Sequence, residues 1–400
     1  MVSSMGYNSV FNTFRYSVAH NPSIRRNFVV DKPIDSAVNA PSLFSTNLID
    51  KYINQSGVNN SSFIKSSNNY ISYPSGIGQY NNYAEKDIYG KDIVSVNYSK
   101  TGAGITQHLK TTSPDGTTVE KITNNSGNSK SFNLVITDKM GNKLLEKSKS
   151  YERLDADRAK TVVNGEIYNI SGLSGDILSV EHNGKVEKID LPKLTDEKVE
   201  KMVCDENHPD ANQNFVNRNE KITDKEREIL YSKIKSMSGD ELLALAENID
   251  EIAFLDTPDN VCESFYNNRA LIYSKDINSL VILHELGHGI NHKISDEKLL
   301  TENPQFKNIR DYEIRNYKQN KTIKDTLFDT KFTNPDNLIA KGECEDKTSA
   351  ESRLRDEIFA ESYAVLNTTD ILDFDDNIQG RTLSLIKYCP RTLAQVNNYV

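Results

Sequence analysis

His284-Glu285-Leu286-Gly287-His288 is an H-E-x-x-H pentad inside an apolar run, and its reading decides what the C-terminal half of the chain must be. On an α-helix, residues four apart are neighbours, so His284 and His288 lie on one face within reach of a single metal ion. Glu285 is turned about 100° from His284 around the helix axis, where its carboxylate can meet a water without displacing it. Two imidazole ligands, a base and an open coordination position are what zinc-dependent peptide hydrolysis needs. The flanks fit a helix as well. Ala270-Leu271-Ile272-Tyr273 reads as a strand, Asn278 or Ser279 can cap, and Leu280 to His292 reads as helix. Val281, Ile282, Leu283, Leu286 and Ile290 make that helix apolar enough to be buried, where two His and a Glu are costly without a partner.

The third ligand decides the subclass. A metzincin needs Gly and then His at the positions held here by Asn291 and Ile294, so that subclass is excluded. His292 follows His288 by four residues but drifts around the helix; it reads as a surface residue or as one standing behind the ligands. The N-E-x-x-S-D run of thermolysin-like enzymes is also missing. Further on, Glu351 to Leu366 reads as an amphipathic helix whose apolar stripe is marked by Leu354, Ile358 and Val365. Glu357 and Glu361 fall inside that stripe, one turn apart. Carboxylates on a buried face need a metal or a strong hydrogen-bonded partner. Glu357 as a zinc ligand and Glu361 as the acceptor of a His N–H satisfy that need. The competing reading pairs one or both with Arg353 or Arg355 at the surface.

The run Asp356-Glu357-Ile358-Phe359-Ala360-Glu361-Ser362 resembles the E-[YF]-F-A-E-[AS]-F signature of the anthrax-toxin-lethal-factor-like metallopeptidases, which include the Pro-Pro endopeptidases. Cys389-Pro390-Arg391-Thr392-Leu393 is similar to the A-P-K-T-F-like element that closes the catalytic domain in that family. The resemblance covers the C-terminal part of the chain. It implies a gluzincin site holding one Zn2+ per chain. His284, His288 and Glu357 would be ligands, Glu285 the catalytic base, and Glu361 the supporting carboxylate. It also implies hydrolysis of a protein or peptide substrate, and a preference for Pro near the scissile bond as seen in several members. The chain departs from the family in two respects. A Tyr usual seven residues before the ligand Glu is Ala350 here, which leaves Tyr312, Tyr317, Arg353 and Arg355 as candidate oxyanion donors. His288 and Glu357 are 69 positions apart, longer than usual, across a polar insertion that either shapes the cleft or decorates the surface.

The remainder of the chain sets the context. Four hundred residues predict two or three domains. Residues 1–84 are polar and rich in Asn, Ser and Tyr, and read as a leader or linker. Residues 85–193 read as all-β, a sandwich, open barrel or meander, with turn signals that include Asn164-Gly165 and Asn183-Gly184. Residues 194–400 read as an α+β gluzincin-type metallopeptidase domain with helices around a small sheet. The strand before the zinc helix, Ala270 to Ser274, is expected to be an edge that pairs with an extended peptide. A net charge of −9 with no basic run argues against nucleic-acid binding. Mean hydropathy of −0.60 and no long apolar run exclude a membrane span. Cys204, Cys262, Cys344 and Cys389 are too scattered to form a metal site; a reduced state is the default expectation, and a Cys344–Cys389 disulfide the alternative. The first ten residues carry no basic region followed by an apolar core. Because the resembled family is exported, delivery as a secreted toxin- or effector-type protease by a signal-independent route is expected, with a cytoplasmic location as the alternative. The alternative function is a catalytically degenerate metallopeptidase fold acting as a binding or adaptor module through its β domain; a third keeps the metal site but hydrolyses a non-peptide amide.

Overall fold

The computed structural model describes residues 69–71, 80–87, 89–101, 104–203, 214–256, 264–266, 269–273, 278–292, 299–320, 328–329, 332–340, 344, 346–372 and 377–399. The expected leader up to residue 68, Cys204, Cys262 and Ser274 lie outside the described residues.

Alternating apolar and polar residues, punctuated by Gly-containing turns, build the first sheet. Its strands are β1 (Asn69–Ile71), β2 (Tyr80–Lys86), β3 (Asp92–Thr101), β4 (Gly104–Thr112), β5 (Thr118–Ser126), β6 (Ser129–Thr137), β7 (Lys143–Arg153), β8 (Ala159–Val163), β9 (Glu166–Ser171), β10 (Ile177–His182) and β11 (Lys185–Asp190). Each strand pairs antiparallel with its neighbour in sequence, so β2–β11 are a ten-stranded meander, with β1 paired to the start of β2. Of the three architectures open to the sequence, the meander is the one adopted. The β10–β11 hairpin closes at Asn183-Gly184, where both residues are left-handed (φ 52° and 74°) and His182 faces Lys185. That backbone matches the right-handed strand twist and is cheap for Asn-Gly.

One face of the meander is buried, and it is not wholly apolar. Val94, Val96, Leu109, Val119, Phe132, Leu134 and Ile136 point inward, and so do Lys121, Lys147 and Lys149. Cross-strand register sets Lys121 opposite Leu134 and Leu134 opposite Lys147. Lys149 faces Phe132, whose ring also lies 4.4 Å from the Lys121 ammonium.

The chain then turns through α1 (Leu191–Leu194), whose Leu191 and Leu194 are buried, so the expected boundary at 193/194 falls within continuous core. A second, mixed sheet follows, made of β12 (Thr195–Val203), β13 (Asn214–Lys221), β14 (Glu251–Asp256), β15 (Ser264–Tyr266) and β16 (Arg269–Tyr273) in the order β13-β12-β14-β16-β15. Between β13 and β14 lie α2 (Asp224–Ile234) and α3 (Gly239–Asn248), each opened by a capping box, Thr223/Glu226 and Ser238/Glu241. The sequence reading puts β16 at the edge. It is interior instead, parallel to β14 and antiparallel to β15. Among the described strands the edge on this side is β15, the strand preceding β16 in sequence.

The further helices among the described residues are α4 (Ser279–Asn291), α5 (Pro304–Asn320), α6 (Pro335–Ala340), α7 (Lys347–Asn367), α8 (Asn377–Tyr388) and α9 (Pro390–Val396), with short 3-10 turns at Leu300–Glu302 and Asn397–Tyr399. Of these, α8 and α9 pack against strands of the meander, and the end of α7 is hydrogen-bonded to its inner face. The last carbonyls of a helix have no partner inside it and carry partial negative charge. Here the buried lysines supply partners at the end of α7: Lys121 Nζ donates to Val365 O (2.8 Å) and Thr368 O (3.0 Å), and Lys147 Nζ to Asn367 Oδ1 (2.9 Å). Lys149 bridges Asn367 Oδ1 to the acidic start of α3, with Asp240 Oδ2 at 2.8 Å and Glu241 Oε1 at 3.0 Å. Just beyond α7, Leu372 O accepts from Tyr98 Oη (2.7 Å) and Gln107 Nε2 (2.5 Å). A buried ion pair, Lys387–Glu85, and a partly exposed one, Arg391–Asp115, tie α8 and α9 to the same sheet.

Burial, reinforced by repulsion from Lys149 and Lys147, lowers the Lys121 ammonium to about 7. Burial with Lys149 alongside lowers Lys147 to about 8. Lys149 moves the other way, because Asp240 and Glu241 outweigh its burial. Between about 7 and the ordinary lysine value of 10.5, the folded chain holds Lys121 neutral while the unfolded chain protonates it. The unfolded state therefore binds more protons across that window, and the contribution of Lys121 to stability rises with pH. The stability difference between the natural chain and Lys121→Met is accordingly expected to shift in favour of the natural chain from pH 7 to pH 9.5, read from urea midpoints. A difference that stays flat with pH would contradict the buried, depressed amine.

Candidate metal centre

The pentad is carried by α4 and the carboxylates by α7. Asn278 caps α4, its side chain accepting from Val281 N at 2.9 Å. Asp346 caps α7, accepting from Ser349 N at 2.8 Å. The two helices run in opposite directions, since His284 meets Glu361 while His288 and His292 meet Asp356. They also cross very closely. A Cβ placed on Gly287 would lie 2.7 Å from Ala360 Cα and 3.1 Å from Tyr363 Cβ. Only a glycine facing an alanine admits that approach, and it brings the carboxylates of α7 to the imidazoles of α4.

His284, Glu285 and His288 bring one potential ligand atom each within 4.8 Å of one another. His284 Nε2 and His288 Nε2 face each other at 3.2 Å, and Glu357 Oε2 is 3.7 Å from His284 Nε2. Each imidazole has a carboxylate behind it. His284 Nδ1 lies 3.2 Å from Glu361 Oε2, and His288 Nδ1 lies 3.0 Å from Asp356 Oδ2. The other oxygen of Glu361 accepts from the Thr382 hydroxyl on α8. An ionised carboxylate can only accept, so each Nδ1 carries a hydrogen, and the two Nε2 atoms are left to face each other. Two lone pairs face to face repel unless a proton or a cation lies between them. Two nitrogens bound about 2.0–2.1 Å from one tetrahedral zinc stand roughly 3.3 Å apart. The donor set therefore fits a zinc ion.

Electrostatics differ at the two rings. Burial pulls His284 below its ordinary value, opposed by the Glu361 hydrogen bond. Burial acts on His288 in the same sense, but the Asp356 carboxylate, helped by Glu357 and Glu285, overrides it and pushes the pKa up to about 10. Asp356 is held far below the usual carboxylate range: burial works against this, and His288 and His292 prevail.

The other sequence candidates divide. Ala350 is wholly buried in a small cluster with Leu338 and Leu354. Tyr317 is packed edge-on against Phe328 and Tyr388, ring centroids 4.8 Å away in each case, so it belongs to the core. Tyr312 and Arg353 are exposed. Arg355 is buried against Glu302, at 2.7 Å, not at the surface beside Glu357 or Glu361. His292 is half-buried with Nε2 3.2 Å from Asp356 Oδ2. Cys344 and Cys389 are not joined to each other by a disulfide, and burial drives the Cys389 thiol upward. The sequence reading gives Asp356 and Asn291 no role. Their signal is weak but present: Asp356 directly precedes the candidate ligand, and Asn291 is one turn past His288 on α4.

No family model, curated protein or solved structure matches the chain.

Replacing Gly287 by Ala should force α4 and α7 apart, costing about 1–3 kcal/mol as other overpacked contacts do. Thermal or urea unfolding checks this. Natural stability in Gly287→Ala would mean the crossing has more room than the backbone distances allow.

Proposed function

We propose that this chain is a zinc-dependent endopeptidase in which His284, His288 and Glu357 hold the ion, Glu285 is the general base, and Glu361 steadies His284. The observation that supports it is the pair of Nε2 atoms turned toward each other at 3.2 Å, each ring backed at Nδ1 by a carboxylate.

When bound, the zinc would supply Lewis acidity at the scissile carbonyl and lower the pKa of a water to about 7. The rest of the chemistry falls to the chain. Glu285, 1% exposed, stands beside the two imidazoles where its carboxylate can take a proton from the attacking water as the new C–O bond forms. The same group then returns that proton to the leaving nitrogen as the C–N bond breaks. Its burial keeps bulk water from competing for the proton and strengthens its field at the reacting atoms. Glu361 and Thr382 hold the His284 ring in one tautomer and one orientation. An extended substrate backbone can add to the β15 edge of the second sheet, two strands from β14 and next to β16. No helix among the described residues is long and apolar enough to cross a membrane.

Zinc bound per chain after extensive dialysis is the first test, and one equivalent is expected. Glu285→Ala should keep that zinc and lose peptide hydrolysis, while Glu357→Gln should lose zinc retention itself. Glu361→Gln should weaken zinc binding by about 10–100-fold, the usual consequence of removing an outer-shell partner. Zinc retained by Glu357→Gln but lost by Glu361→Gln would exchange the roles of the two carboxylates. A peptide library should show enrichment of Pro beside the cut; an even distribution would remove that preference.

A further inference from the structure

We infer that Asp356 is a second positioning carboxylate of the centre, orienting His288 as Glu361 orients His284. This rests on the metallopeptidase reading and adds a residue to it. In the resembled signature the second Glu has the supporting role; here the residue just before the candidate ligand Glu also meets an imidazole.

The geometry is specific. Asp356 Oδ2 is 3.0 Å from His288 Nδ1 and 3.2 Å from His292 Nε2, and its Oδ1 accepts from Asn291 Nδ2 at 2.6 Å. All three donors come from the last turn of α4. Asn291 is fixed in turn by Thr301, whose N–H donates to Asn291 Oδ1 at 3.0 Å. Next to Thr301, Glu302 Oε1 accepts from Ser352 Oγ (3.1 Å) and Arg355 Nη2 (2.7 Å). Ser352 and Arg355 are on α7, one turn and less before Asp356. The contacts make a closed circuit from α7 to α4, through the 300–302 turn, and back to α7. A carboxylate held at both oxygens within such a circuit cannot swing away from His288.

The consequence is a site in which both ligand imidazoles are preset by the same helix. Less than two turns of α7 supply Asp356 behind His288, Glu357 beside the Nε2 of His284, and Glu361 behind His284. A carboxylate behind a metal-ligating His fixes its tautomer and raises its basicity, and losing such a partner typically costs 10–100-fold in metal affinity.

Asp356→Asn tests this, because it preserves size and an acceptor oxygen while removing the charge behind His288. Zinc affinity of the full chain would be measured by competition with a chromophoric chelator. The visible spectrum of the Co2+-loaded protein reports ligand orientation, and thermal unfolding of the metal-free protein reports plain structural damage. The expected result is a loss of zinc affinity of about 10–100-fold together with an altered Co2+ spectrum. His292→Gln, which removes a clamp on Asp356 but leaves the His288 contact, should stay within about threefold of the natural chain, well short of the loss typical of a ligand's own partner. The inference is overturned if Asp356→Asn binds zinc as the natural chain does, or if His292→Gln reproduces its whole loss. Should Asp356→Asn not fold, Asp356→Ser is read against the same limits. Failure of the natural chain to bind zinc in these titrations would sink the metallopeptidase reading itself, a result distinct from either of the others.

Discussion

The closest approach in the molecule that matters to the site is between Gly287 on α4 and Ala360 on α7. It leaves no room for a side chain on the first of these residues. Every distance at the candidate centre follows from it. Helices held apart by ordinary side chains sit 8–10 Å axis to axis, and short carboxylates such as Asp would not span the gap to an imidazole and its far nitrogen. With the backbones nearly in contact, Asp356 and Glu361 reach the Nδ1 atoms while Glu357 stays near Nε2. The small residues inside the two motifs are therefore as much a part of the arrangement as the titratable ones.

The buried lysines belong to the same logic. Interior lysines are costly, and Lys121 and Lys147 register that cost as depressed pKa values. They are tolerated because they meet groups that would otherwise be orphaned: the terminal carbonyls of α7 and the amide of Asn367. Lys149 meets the two carboxylates that open α3. The meander thus grips α7 from one side as α4 grips it from the other, and α7 has little freedom to slide along its axis.

Much of this was legible in the sequence, and the exceptions share a cause. The helix of the H-E-x-x-H pentad, its Asn278 cap, the glutamate helix and the Asn183-Gly184 hairpin all announce themselves through local chemistry: spacing, capping residues and turn residues. What remained hidden depends on partners far along the chain. Lys121, Lys147 and Lys149 occupy inward positions of β5 and β7, so the alternation reads as though that face were wet. Strand β12, Thr-Asp-Glu-Lys-Val-Glu-Lys-Met-Val, carries so much charge that no strand pattern stands out. Whether β16 is an edge depends on β15, three residues long and without a periodic signal of its own. Asp356 lies off the apolar stripe of its helix, and only the position of α4 shows what it faces.

The contacts of Lys121 with Val365 and Thr368 span 244 and 247 residues, and that of Thr382 with Glu361 draws on α8, near the end of the described chain. Non-local contacts of this kind form late, because the entropy of closing long loops must be met before they stabilise anything. A chain growing from its N-terminus completes the meander first, then α4 with its paired imidazoles, and only afterwards the helix bearing all three carboxylates. The candidate centre is therefore completed only after α7 has followed α4: a chain that stops short of Asp356 carries the paired imidazoles without the carboxylates that orient them.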